Sequence, residues 1–372
     1  MVAILPPHHH QENLQSKGGS PELYKKIREI NRLTQISNVD PIYTLTHLAI
    51  KSGLPLRVLL DLIEDLNSFY VDFKIKKKSK SNSTKLRSIS APQGELLVVQ
   101  RCILGAIAET ALVSDHAYAY VPRRSAYDAA IMHVGARLLI RFDIKDFFNN
   151  ISSARIFRIF RSLGYPRLLA FQMTILSTRG LDVKVREDSD SKDALYAISG
   201  QGYLPQGAPT SGVLSNIVFA EMDEELVGLS MSFGAVYTRY ADDFHLSFSR
   251  KISPDEVSEI ISSVNEIIFK GGFTMNADKI QVQRNSQSLR MLGLSISSKS
   301  VSIGAPYKRK ILGLLHAIEK YGLANVAERH NCRTDVELAV KLSGHFSYIF
   351  GVDRSFAMKI GGRVKAITDK VT

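Results

Sequence analysis

Residues 236–249 read VYTRYADDFHLSFS, with apolar and polar side chains alternating on both sides of an Asp-Asp pair. That period of two predicts a β-hairpin with Asp242 and Asp243 at its tip. A second run, ARLLIRFDI at 136–144, is apolar, branched and of strand length, and it carries Asp143 at its end. A carboxylate ending a buried strand is costly unless it is paired or meets a cation. A fold that sets these strands side by side brings three acids together, and divalent metals remove the repulsion. Mg²⁺ takes a few carboxylates, waters and phosphate oxygens in preference to an all-protein cage. Two such ions clamp the attacking and leaving oxygens of an in-line phosphoryl transfer. The bland alternative is that all three are ordinary turn acids.

The rest of the chain alternates helix and strand signals. Helical patterns cover about 21–36, 42–51 and 55–69, the last with Val58, Leu59, Leu62, Ile63 and Leu66 on one face. Residues 73–92, FKIKKKSKSNSTKLRSISAP, read as two short strands joined by a polar tip, with seven Lys/Arg and no acid. A helix is expected over 93–113. Another is expected over 151–165, capped by Ser152 or Ser153 and stopped by Gly164. A polar insertion lies at about 182–193. YLPQGAPTSGVLSN, at 203–216, is a turn-rich loop leading into an apolar helix through about 229. Ser253-Pro254-Asp255-Glu256 is a capping box that opens a helix to about Lys270, ended by Gly271-Gly272. Residues 273–283 and 289–303 look hairpin-like, and helices follow from Pro306. The fold class is α+β, with helices and hairpins around a small sheet.

Charge is distributed unevenly along the 372 residues. The net +12 divides into +6 over residues 1–90, −2 over 91–289 and +8 over 290–372. Basic ends around a slightly acidic middle suit a protein that grips a polyanion and does metal chemistry between the grips. A chain of this length is expected to divide into two or three subdomains. Two cysteines, Cys102 and Cys332, cannot build a disulfide framework or a four-ligand zinc site. There is no charged n-region followed by an apolar h-region, and no apolar run of spanning length, so the expected location is the cytoplasm without membrane association.

These motifs, in this order, resemble those of reverse transcriptases, and most closely the bacterial retron type. The resemblance covers about residues 40–305. IKKKSKSNSTKLRSISAP (75–92) resembles the fingers hairpin, and RFDIKDFFNNI (141–151) the first catalytic motif. LPQGAPTSGVLSN (204–216) resembles the Pro-Gln-Gly motif and YTRYADDFHLSFS (237–249) the Tyr-x-Asp-Asp motif. GFTMNADKIQV (272–282) and LRMLGLSI (289–296) resemble the two that follow. The resemblance implies a right hand: a flexible lead-in over 1–20, N-terminal helices and fingers over 21–135, a palm with fingers insertions over 136–305, and a basic helical thumb over 306–372. SAPQGELL (90–97) also fits the retron type. Two retron elements are matched in part. Ala129-Ala130-Ile131-Met132-His133 keeps the Ala and His of Asn-Ala-x-x-His, and Met291-Leu292-Gly293 keeps the Gly of Val-Thr-Gly. His133 can equally be a buried structural histidine.

Residue by residue, the resemblance implies that Asp143, Asp242 and Asp243, with the Ile144 carbonyl, hold two Mg²⁺ ions. Lys77, Arg87, Gln206 and Lys279 would contact the incoming deoxynucleoside triphosphate, and Phe148 would exclude a ribose 2′-hydroxyl. Met291, Leu292 and Gly293 would hold the primer strand, while Lys308, Arg309, Lys310, Lys320, Arg329 and Arg333 suit an RNA backbone. The implied activity is RNA-directed DNA synthesis on a cognate non-coding RNA, primed from a guanosine 2′-hydroxyl, giving branched multicopy single-stranded DNA. Implied partners are a host ribonuclease H and a separately encoded effector of anti-phage defence. The alternatives are a template-independent or protein-primed polymerase of abortive infection, and a non-catalytic RNA-binding scaffold that keeps the polymerase fold.

Overall fold

The computed structural model describes residues 21–76, 86–187, 194–284 and 289–371. The N-terminal helices are α1 (Pro21–Ile36), α2 (Leu45–Ser52) and α3 (Leu56–Glu64). Thr44 caps α2 by accepting from the His47 amide, and Gly53 ends it at φ 71°. The third helix is shorter than its apolar pattern: Asp65 leaves helical space at φ −129°, and Leu66–Phe69 tighten into a 3₁₀ turn. That turn feeds β1 (Tyr70–Lys76), which pairs antiparallel with β2 (Leu86–Pro92) from Tyr70↔Pro92 to Lys76↔Leu86. Next come α4 (Gly94–Ile107), six residues shorter at its end than its pattern, and the short α5 (Ala126–Ile131). The latter opens on a capping box between Ser125 and Asp128.

The middle of the chain contains β3 (Leu138–Asp143), α6 (Ser153–Ser162), α7 (Arg167–Ser177), β4 (Asp182–Glu187), β5 (Ala194–Ser199) and α8 (Ser211–Ser232). The polar stretch near 182 is thus strand, paired from Asp182↔Ser199 to Glu187↔Ala194. Then follow β6 (Val236–Tyr240), β7 (Asp243–Phe248), α9 (Pro254–Lys270) and β8 (Gln281–Arg284). Both halves of the Ser253/Glu256 capping box form at the start of α9. The chain ends with β9 (Leu289–Met291), β10 (Leu294–Ile296), β11 (Val301–Ile303), α10 (Ala305–Tyr321), α11 (Leu323–Arg329), α12 (Asp335–Val352) and α13 (Arg354–Thr368).

A four-stranded antiparallel sheet in the order β6-β7-β3-β8 organises the site. Residues 273–283 do not fold back on themselves as a hairpin. Met275 bridges Ile144, the Asn276 amide donates to the Asp143 carbonyl, and β8 lines the free edge of β3 from Leu138↔Arg284 to Arg141↔Gln281. An open strand edge with unmet backbone groups outcompetes a two-stranded hairpin, which has little stability alone. Residues 289–303 form a separate three-stranded antiparallel sheet, β11-β10-β9.

Because paired residues of an antiparallel sheet point the same way, each face of the central sheet has its own composition. Leu138, Ile140 and Phe142 of β3 share a face with Phe244, Leu246 and Phe248 of β7, and all six belong to the larger core. Phe142 and Phe244 stack with centroids 4.9 Å apart, a pair worth about 1 kcal/mol beyond the area it buries. The opposite face carries Leu139, Arg141 and Asp143 beside Ser247, His245 and Asp243. Leu139 belongs to a second core with Ala129 and Ala130 of α5, the β9–β11 sheet and the C-terminal helices. One strand therefore walls both cores.

Candidate active site

Two backbone arrangements bring the acids together. Asp143 closes β3 and pairs in register with Asp243, the first residue of β7. Asp242 lies in the two-residue turn between Tyr240 and Asp243. The other turn residue, Ala241, has φ 59°, a region that side-chain-bearing residues seldom enter and that tends to mark functional turns. The Ile144 amide donates to the Asp242 carbonyl at 3.1 Å, so the end of β3 and the turn are tied directly.

The carboxylates are engaged unequally. Lys279 Nζ donates to both Asp143 oxygens at 2.6 Å. Its place is set by the Asn276–Asp143 backbone bond and the 3₁₀ turn Ala277–Lys279. Arg141 forks onto Asp243, with Nε to Oδ1 at 3.0 Å and Nη2 to Oδ1 and Oδ2 at 2.7 and 2.8 Å. Among the described residues Asp242 has no such bonded cation, and Arg87 and Lys279 act on it only through their charge. Burial pushes its carboxyl above the usual range, and the Asp143 charge adds to that. Burial raises Asp243 too, against the opposing pull of Arg141. Among the described residues no three His, Cys, Asp or Glu side chains converge as a metal cluster. The geometry explains this, because two of the three carboxylates are turned into cationic side chains. The donor chemistry fits a hard divalent ion nonetheless: the carboxylates offer oxygen donors only, and Asp242 has no cation bonded to it among the described residues.

A cleft of about 200 Å³ opens on this arrangement. Asp143, Ile144, Asp242, Arg87, Phe148, Gln206 and Lys279 all line it, although they come from five separate stretches of sequence. Arg87 reaches it from β2. Gln206 reaches it from the loop before α8, and its carbonyl accepts from the Ser90 amide at 2.8 Å, fastening that loop to β2. Gly207 makes this approach possible. At φ 121°, a Cβ there would sit 2.8 Å from Ile89 Cγ2 and 3.0 Å from the Ser90 carbonyl. Of the two phenylalanines after β3, Phe147 is enclosed by Phe219 and Phe273 at 5.8 and 5.6 Å. Phe148 stands next to Tyr120.

Other expected site residues lie elsewhere. Lys77 is outside the described residues. Asp243 does not line the cleft. Met291 is buried in the second core, and Leu292 and Gly293 form the β9–β10 turn at φ 52° and 83°. On α10, Arg309 and Lys310 are exposed, whereas Lys308 is committed to Asp353 at 2.7 Å and lies over the Phe356 ring. Lys320 Nζ and the Arg329 guanidinium both lie 5.1 Å from the centre of the Tyr321 ring, and Arg333 is exposed. His133 is a buried structural histidine, bonded through Nδ1 to Ser247 Oγ at 2.6 Å and through Nε2 to Thr238 Oγ1 at 2.7 Å.

Sequence reasoning missed Arg141 and Arg239. Arg141 was legible, because it lies two residues before Asp143 on a strand and so shares its face. Arg239 carried a signal as well, a cation at the core-facing position of a strand. It is fully buried on the α8 side of the sheet, bonded to Asp223 and Asn216.

Known proteins give an independent comparison. Residues 75–296 match the family model described as reverse transcriptase (RNA-dependent DNA polymerase). The retron Mx65 reverse transcriptase of Myxococcus xanthus is 30% identical over 248 residues, covering 66% of this chain and 55% of that protein. The retron Mx162 enzyme of the same organism is 30% identical over 241 residues, covering 63% of this chain and 48% of that protein. The retron Ec86 reverse transcriptase of Escherichia coli is 29% identical over 241 residues, 65% of this chain and 68% of that protein. The chain thus spans about half the length of the two Myxococcus relatives. The α+β right-hand polymerase fold follows from the family match, which takes in every motif around the cleft and well over half of the residues. The chain belongs to the reverse transcriptase (RNA-dependent DNA polymerase) family.

Proposed function

We propose that the chain is an RNA-directed DNA polymerase of the retron type, copying a cognate structured RNA into single-stranded DNA. The observation that carries this is the cleft itself, where Asp143, Asp242, Arg87, Lys279, Phe148 and Gln206 converge from distant segments. In this reading Arg87 and Lys279, with Lys77, hold the triphosphate of the incoming deoxynucleotide by charge-assisted contacts. Gln206 lines the pocket, and Phe148 fills the space a ribose 2′-hydroxyl would need. Asp143 and Asp242, with the Ile144 carbonyl, hold divalent metal, and Asp243 completes the acid set. Mg²⁺, two ions in this reading, supplies the Lewis acidity that lowers the pKa of the attacking hydroxyl and neutralises the triphosphate. Arg141 and Lys279 keep the acid cluster near charge balance.

Met291, Leu292 and Gly293 would carry the primer strand, and the exposed Arg309, Lys310, Arg329 and Arg333 would meet RNA phosphates. Binding that neutralises several phosphates falls steeply with salt. The proposal extends, on the resemblance of the motifs alone, to priming from a guanosine 2′-hydroxyl, a branched RNA–DNA product, and a role in anti-phage defence with host ribonuclease H and a separate effector. The test is to express the chain with its native flanking DNA and look for a short DNA whose size shifts on ribonuclease or debranching treatment. One species templated by adjacent sequence, lost in Asp242→Asn/Asp243→Asn, supports the reading. Untemplated or protein-linked DNA overturns the retron assignment. A cellular phenotype that persists in the double variant points to a scaffold instead.

A further inference from the structure

The chain from His116 to Tyr120 is pinned at several points. The Arg239 amide donates to the His116 carbonyl and the Tyr118 amide donates to the Arg239 carbonyl, each at 2.8 Å, adding a short parallel rung beside β6. Asn216 Nδ2, on α8, donates to the buried Ala119 carbonyl at 2.7 Å. Tyr120 absorbs the turn that these bonds impose. Its φ of 58° is one that an aromatic residue rarely adopts, and such backbone persists only where its surroundings over-determine it.

This strained backbone lays the Tyr120 ring across the first turn of α8. A Cβ on Gly212 would lie 2.4 Å from the ring, so glycine is what leaves room for it. The ring then meets Phe148 edge-on, with centroids 6.3 Å apart and planes at 66°. Phe148 also has Phe147 against it at 5.3 Å. Phe147 and Phe148 both line the cleft, and Phe148 is the one bracketed between Phe147 and Tyr120. Tyr120 is 54% exposed, and the charges of Asp242 and Arg87 act on its hydroxyl.

We propose that Tyr120 is a positioning residue for Phe148, fixing how far that ring reaches toward the sugar of the incoming nucleotide and so how strongly ribonucleotides are refused. The assignment rests on the polymerase reading. Its test is single-nucleotide extension of a primed RNA template by the full chain, comparing kcat/KM for dGTP and for GTP. Tyr120→Ala lowers the preference for dGTP by roughly three- to tenfold, the worth of one edge-on aromatic contact. Tyr120→Phe keeps the wild-type ratio, because the contact is made by the ring. Gly212→Ala, which pushes the ring aside, shifts the ratio in the same direction as Tyr120→Ala. Should Tyr120→Ala fail to fold, as judged by a melting curve, Gly212→Ala decides alone. Folded variants that extend with dGTP at the wild-type ratio, or lose both substrates by the same factor, overturn the proposal. A wild-type chain that makes no DNA on any primed RNA overturns the polymerase reading and the proposal with it.

Discussion

Arg239 and Asp223 form an ion pair in which both side chains are wholly buried, with Nη2 to Oδ2 at 2.6 Å. Nε also donates to Asp223 Oδ1 at 2.8 Å, the Tyr237 hydroxyl donates to the same oxygen at 2.6 Å, and Asn216 Oδ1 accepts from Nη1 at 2.9 Å. The guanidinium lies 4.6 Å from the Phe219 ring centre, and Nη1 reaches the Ala241 carbonyl at 3.3 Å. The network thus braces the Ala241-Asp242 turn from behind. Asp223→Asn strands a buried cation and is expected to cost about 3–5 kcal/mol in urea unfolding. The double variant Asp223→Leu/Arg239→Met should lose less than the sum of the two single losses, because it leaves no orphan charge.

A pH dependence follows from the opposite face of the sheet. Burial holds the His133 imidazole down to about 4 from its ordinary 6.5. Between those values the folded state binds fewer protons than the unfolded one, so the stability it supports is complete above the ordinary value and drains away as pH falls toward 4. The expected loss from this residue is about 2 kcal/mol between pH 7 and pH 5. His245, buried nearby and held well below its usual value, adds in the same direction. Chemical denaturation at both pH values checks this, and His133→Gln should flatten the profile.

Metal should act on stability through Asp242. Its raised carboxyl pKa means that the folded state holds the proton more tightly, so the ionised group costs stability at neutral pH, a cost that disappears as pH falls below the ordinary carboxylate range. In EDTA, Asp242→Asn is expected to melt roughly 1–3 °C above the wild type. Added Mg²⁺ should raise the wild-type Tm and raise the variant's less. Thermal melts in EDTA and in Mg²⁺ measure both, and a variant that melts lower in EDTA contradicts the reading.

Gly207 lets the Gln206 loop close onto the β1–β2 hairpin. Gly207→Ala imposes both a disfavoured φ and a 2.8 Å clash with Ile89. It should separate β2 from the Gln206 loop and move Arg87 away from the cleft. Primer extension is expected to show a KM for deoxynucleotide raised on the order of tenfold, with a smaller change in kcat. An unchanged KM would mean that the contact at Ser90 does not position the pocket.

The convergence of the three acids was readable because its signals are local. The alternation around Asp242-Asp243, the apolar run ending at Asp143 and the capping box at Ser253 each need only a few neighbours. The cleft residues Arg87, Phe148, Gln206 and Lys279 came from family resemblance, since no local pattern ties them together. What misled was competition between segments. Residues 273–283 carry hairpin-like alternation, yet the vacant edge of β3 claims β8. The polar stretch near 182 carries only a short alternation at Val183 and Val185 among charged residues, yet β5 pairs with it. The pairing of Arg239 is not local either, because its partner Asp223 lies 16 residues away on a helix.

Because β3 contributes Leu138, Ile140 and Phe142 to one core and Leu139 to the other, it acts as a shared partition. A chain cut after residue 288 would bare Leu139, Ala129 and Ala130 along a wall that ends in Asp143 and Asp243. The C-terminal portion would keep its own sheet and helices but lose that wall. Attempts to minimise the protein, or to graft its nucleotide cleft onto another scaffold, must therefore carry the last 84 residues along as lining, even if their nucleic-acid contacts are dispensable.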